Sequence, residues 1–262
     1  YVAGYNRFLT DHKEKLPASC ANKPWVRPIT EIDLGRLAIG VGIRYGLGRF
    51  QKQIANASPE LSHLAQAYWS LPDGIGSNAI AIGSELSASG RGILLGNPHY
   101  PWHGASRFHM IHLTIPGELD VMGASLLTSN RVAIGFNKNI AWTHTVSTAK
   151  RFTLYQLKLN PSNPFQYEYD GAYRTMEKRS VYVRVAASQG ELANQTHETY
   201  FTHFGPVIES KALPWGSKTA YTMRDAVVDN YLTAATYDAM SKAESTADVE
   251  AAISQQGVYW TN

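Results

Sequence analysis

Apolar residues recur along this chain with two different periods, and the change between them falls near position 77. Before it the spacing is helical: Ile32, Leu34, Leu37, Val41 and Ile43 share one face of a helix. Residues 1–16 read as a helix already under way, and Pro17, Pro24 and Pro28 mark the loop that follows. Thr30, with Asp33 three positions on, forms a loose capping box and places the start of the second helix. Residues 61–69 predict a further short helix, ended by Pro72. Past position 77, short apolar runs predict strands over 79–82, 93–95, 108–115, 132–136, 141–146, 152–159 and 181–185. Alternation over 108–115 is imperfect, as in a strand buried on both faces. Odd separation puts His109 and His112 on opposite sides of it, so they are not a ligand pair. A helix returns around 243–255.

Helices, then strands, then helices fit an α+β fold. Composition agrees: of 262 residues, 44% are hydrophobic and 17% charged, an ordinary globular balance. A formal charge of +3, scattered along the chain, argues against a nucleic-acid partner. No apolar run reaches the length needed to cross a bilayer. Cys20 is the single cysteine, so no disulfide can form within the chain. No internal repeat is present.

The candidate chemistry lies where the period changes. Ser77 follows a Gly74-Ile75-Gly76 turn and precedes the apolar run Ala79-Ile80-Ala81-Ile82. Further on stands Gly96-Asn97-Pro98-His99-Tyr100-Pro101-Trp102. A serine hydroxyl needs a base, and a nucleophile at a chain terminus can use its own amine. A cut between Gly76 and Ser77 would create that base, whereas in the continuous chain the same nitrogen is a non-basic amide. Glycine at 76 reaches the unusual backbone conformations that such a cut demands. Pro98 and Pro101 stiffen the surroundings of His99 and predict a loop there. They also rule out a helix that would align His99 and His103 as metal ligands.

Together the two stretches resemble the self-cleavage site and active-site loop of the penicillin-acylase family of N-terminal-nucleophile hydrolases. Within it the chain is most similar to the acylases of acyl-homoserine lactones and of cyclic lipopeptides such as aculeacin A. The resemblance implies a four-layer αββα sandwich, present here as a fragment, and cleavage at Gly76–Ser77. Residues 1–76 would be the helical end of the small subunit and the cleavage linker, and residues 77–262 the start of the large subunit with the nucleophile and sheet strands. It also implies that Ser77 is the nucleophile and that His99 orients amine and hydroxyl. The run Ile140–Ser147 resembles the oxyanion strand, with the backbone N–H of Val146 as donor; His144 is expected to be structural. Tyr100 and Trp260 would wall an acyl pocket. The family's second oxyanion donor, an asparagine accompanied by an arginine, is expected beyond Asn262. An opening without initiator methionine or signal peptide fits an internal fragment of a longer precursor.

No metal is expected, because Thr148-Ala149-Lys150-Arg151-Phe152 stands where penicillin G acylases carry an aspartate-rich calcium run. No cofactor is expected either. The implied activity removes the acyl chain from N-acyl-homoserine lactones, in a periplasmic or secreted heterodimer cut from one precursor. Deacylation of a lipopeptide or a penicillin is the close alternative, and a non-catalytic binder of acylated amides the distant one.

Overall fold

The computed structural model describes residues 1–59, 76–104, 106–127, 129–147, 149–186 and 192–255. Among the described residues five α-helices run in chain order: α1 (Val2–Asp11), α2 (Glu31–Tyr45), α3 (Gln51–Ala55), α4 (Thr233–Lys242) and α5 (Thr246–Ser254). The first six strands are β1 (Gly76–Ile82), β2 (Ile93–His99), β3 (Phe108–Ile115), β4 (Leu119–Leu126), β5 (Ile134–Phe136) and β6 (Ala141–Trp142). Seven more follow: β7 (Phe152–Asn160), β8 (Asn163–Tyr169), β9 (Ala172–Thr175), β10 (Glu177–Ala186), β11 (Leu192–Thr202), β12 (Gly205–Ile208) and β13 (Thr219–Asp225). No helix of the described residues is long and apolar enough to cross a membrane.

Contacts divide the chain into two units, one from Tyr1–Ile43, Pro72–Ser147 and Asp229–Asn262, the other from Arg44–Leu71 and Thr148–Val228. In the first, β1 and β2 form an antiparallel hairpin and β3 to β6 a four-stranded antiparallel sheet in sequence order. Its core joins Val121, Val132 and Trp142 of the sheet region to Met240 of α4 and Ala252 of α5. Trp142 donates its Nε1–H to the Ala133 carbonyl at 3.1 Å, so the indole is buried without an orphaned donor. Asn137 ties the sheet to the end of α4 through bonds to the Ser241 and Ala243 carbonyls at 3.2 and 2.8 Å. The second unit is a seven-stranded antiparallel sheet in the order β10-β11-β12-β13-β7-β8-β9. Its core gathers Leu157, Leu159, Tyr167, Val207, Trp215 and Ala220, with Ala57 packed among them.

Local chemistry explains two helix starts. The Thr30 and Asp33 pair closes a reciprocal cap: the Thr30 amide donates to Asp33 Oδ2 at 2.9 Å, and the Asp33 amide to Thr30 Oγ1 at 3.3 Å. Bonds from Arg27 and Thr30 hold the Asp33 carboxyl well below the usual carboxylate range. Ser245 and Asp248 repeat the arrangement at α5.

Three expectations are corrected. His99 is the last residue of β2 and not part of a loop; among the described residues β2 pairs with β1 alone, so Pro98 lies on an edge strand, where a residue without an N–H is tolerated. Strand β3 is covered on one side only: Ile111 and Leu113 pack on the core, while Met110 is 65% exposed. The strand expected over 141–146 ends at Trp142, and Val146 holds a separate single-residue bridge. Strands β4, β8, β9 and β11 to β13 and helices α3 and α4 are not among the elements that the sequence pattern predicts. The helix expected over 61–69 lies outside the described residues.

Candidate active site

Gly76 and Ser77, the pair expected to be cut, open β1. Antiparallel register sets Gly76 opposite His99 and Ser77 opposite Pro98. Residues facing each other across a pair share one side of the hairpin. His99 therefore stands over Gly76, and the Ser77 side chain leaves from the other face. Space confirms the approach, since a Cβ built on Gly76 would lie 3.3 Å from His99 Nδ1. The Ser77 hydroxyl donates to the Gly76 carbonyl oxygen, so it sits beside the carbonyl it would attack. His99 Nδ1 thus lies close to Gly76, on the side of the hairpin away from the Ser77 side chain.

Two side chains that the sequence did not single out support this arrangement. Asn97 places its Nδ2 at 3.2 Å from His99 Nε2, two residues back on the same strand face. Gly96 meets Thr143: a Cβ there would be 2.7 Å from Thr143 Oγ1 and 2.9 Å from its Cβ. Only glycine lets β2 close on the segment that runs from β6 to Val146. Asn97 was visible inside its motif but had no reason to stand out. The Gly96 contact joins residues far apart in sequence and left no local trace.

Tyr100 follows His99 directly, its ring 4.9 Å from that of Phe108. Burial pushes the Tyr237 phenol of α4 up, and the nearby Tyr100 adds to the shift. His144 packs edge-on against Tyr237 at 5.6 Å. Burial holds its imidazole down at about 4, against a weaker upward pull from a bond to the Ala133 backbone. Val146 is half-buried. Trp260 lies outside the described residues. Arg151, of the run read as hostile to calcium, is buried and grips Asp225 through two bonds of 2.6 and 2.7 Å. Gly76, Ser77 and His99 are thus brought together on one hairpin, and Thr143 links it to the segment that carries Val146.

The family described as penicillin amidase matches residues 1–262. This chain belongs to the penicillin amidase family. Among relatives of this family, acyl-homoserine lactone acylase PvdQ of Pseudomonas putida strain KT2440 is 40% identical over 275 residues, covering 100% of this chain and 36% of its own length. Aculeacin-A acylase of Actinoplanes utahensis is 38% identical over 247 residues, covering 88% of this chain and 31% of its own length. A thermostable penicillin G acylase from Alcaligenes faecalis superposes with a TM-score of 0.59 at 26% identity, over 68% of this chain and 31% of that one. The chain therefore spans about a third of the length of the relatives it matches, and like the penicillin G acylase it superposes on it mixes helix and sheet.

Proposed function

We propose that this chain carries the nucleophile of an acylase activated by its own scission between Gly76 and Ser77. One observation carries the reading: a serine hydroxyl bonded to the preceding glycine carbonyl, at a glycine over which a histidine stands. Scission would turn the Ser77 amide into an α-amine with a pKa of roughly 7.7–8.0, a suitable base near neutral pH. Ser77 Oγ would then attack the substrate's amide carbonyl, its proton passing through the amine to the departing nitrogen. The resulting ester is hydrolysed by water, which restores the hydroxyl. The Val146 N–H would serve the oxyanion, alongside an asparagine donor from the rest of the protein.

The substrate we favour is an N-acyl-homoserine lactone, on the strength of relatives named for that activity at 40% identity. Tyr100 and Trp260 would wall the acyl pocket, where each buried methylene is worth about 0.8 kcal/mol. Deacylation of a cyclic lipopeptide is the second reading, favoured by the 38% identity to aculeacin-A acylase. With this mechanism go a four-layer αββα sandwich, a small subunit ending at Gly76, a large one beginning at Ser77, and a periplasmic or secreted location.

Mass spectrometry of the full-length precursor tests the mechanism. The expected result is a cut that leaves one polypeptide beginning Ser-Asn-Ala-Ile. Ser77→Ala is expected to leave the precursor whole and turnover below detection; turnover by that variant would refute the assignment. An uncut wild-type precursor, silent in acylation assays, would point to a binder of acylated amides instead. A panel of acyl-homoserine lactones of graded length, run against a lipopeptide and penicillins, separates the substrate readings.

A further inference from the structure

We propose that Asn97 is a positioning residue that fixes the tautomer of His99, so that His99 meets the scissile peptide as a hydrogen-bond donor. The inference rests on self-cleavage at Gly76–Ser77, and it concerns a residue to which no role has been given above. Asn97 and His99 project from one face of β2. The Asn97 amide nitrogen, 3.2 Å from His99 Nε2, has hydrogens to give and no lone pair to offer. Nε2 must then be the accepting, unprotonated nitrogen. A neutral imidazole carries one ring proton, which is left on Nδ1. Nδ1 is the atom that faces the junction, 3.3 Å from where a Cβ on Gly76 would be.

The consequence is a division of labour. During self-cleavage the Ser77 Oγ–Gly76 carbon bond forms and the Gly76 carbon–Ser77 nitrogen bond breaks. The hydroxyl proton ends on the liberated nitrogen, and water hydrolyses the ester and returns the hydroxyl to Ser77. An Nδ1–H beside this peptide polarises it by donation. His99 gains and loses no proton in that sequence. It also cannot take the proton of the serine hydroxyl on the opposite face of the hairpin, which leaves that task to the amine in the mature enzyme.

The test uses the full-length precursor with histidines labelled in nitrogen-15 and Ser77→Ala to keep the peptide whole. Ring-nitrogen spectra, with His99 assigned from the signals lost in His99→Gln, should give a protonated Nδ1 and a bare Nε2. Asn97→Asp, whose carboxylate only accepts, should move the proton to Nε2. With Ser77 restored, Asn97→Ala and Asn97→Asp should each slow precursor cleavage by roughly 3- to 10-fold, followed by timed mass spectrometry. In a His99→Ala background, Asn97→Ala should add nothing. A protonated Nε2 beside Asn97, or a slowing by Asn97→Ala that persists in full without the imidazole, would overturn the proposal. Should the wild-type precursor not be cut at all, the proposed function fails on that ground, while the spectra still report the tautomer.

Discussion

At the scale of single residues, the site is organised by what is missing from two of them. Gly76 lacks the carbon that would press on His99 Nδ1 at 3.3 Å, and Gly96 lacks the one that would collide with Thr143. Neither contact is forced by a left-handed backbone; both are matters of room. Gly76→Ala is therefore expected to displace the imidazole by a few tenths of an ångström and to slow precursor cleavage by roughly tenfold, as crowding of a packed site usually does. Timed mass spectrometry of precursor and products measures it, and cleavage at the wild-type rate would show that His99 need not approach so closely. Hydroxyl and imidazole leaving opposite faces of one hairpin is the other fact of this scale. In the proposed mechanism it would separate the attacking group from the imidazole.

Secondary elements decide how firmly those residues are held. The hairpin of β1 and β2 meets the segment after β6 at Gly96 and Thr143, and any side chain at 96 would have to push that segment away. Gly96→Ala is expected to destabilise the protein by about 1–3 kcal/mol. Thr143→Gly in the same chain, which removes the Cβ at 2.9 Å as well as the hydroxyl at 2.7 Å, should recover part of the loss relative to Thr143→Gly alone, read as urea midpoints of single and double variants. Helix α4 contributes a second device. Tyr237 closes over His144, whose folded value of about 4 lies below the ordinary 6.5. Between these values the unfolded chain binds the extra proton and the folded one does not, so stability falls as pH drops through that window. His144→Gln should flatten this part of the pH dependence, seen by comparing unfolding at about pH 7 and about pH 4.5. An unchanged slope would mean that the ring is not held neutral.

For the molecule as a whole, the order of the chain and the order of packing disagree, and the disagreement has a use. Residues 44–58 precede the junction in sequence yet pack on strands that follow it. The Arg151 side chain donates to the Tyr45 carbonyl at 3.3 Å, the Glu209 amide to the Gln53 carbonyl at 3.0 Å, and the Ser58 amide to Glu209 Oε2 at 3.0 Å. Phe50 sits edge-on against Phe152 at 5.0 Å. A cut at the junction would leave two polypeptides joined by these contacts. Arg151 is central to them, with side-chain exposures of 5% for it and 2% for Asp225. Asp225→Ala removes the carboxylate paired with a buried guanidinium and is expected to cost about 3–5 kcal/mol, measured by denaturant unfolding. A loss below about 1 kcal/mol would mean that water or another group takes over the charge.

The sequence alone determined the local rules: the capping box at Thr30 and Asp33, the apolar runs that became β1, β3 and β7, and the motif that sets serine after glycine. These depend on neighbours a few positions apart, and a linear reading contains such neighbours. Tertiary structure alone decided that Gly76 faces His99, that Asn97 holds the imidazole, that Gly96 fits against Thr143 and that Tyr237 covers His144. Each of those pairs two distant elements or depends on the side of a strand from which a residue projects. Register sets that, and register is chosen by the sum of cross-strand contacts and not by any one residue.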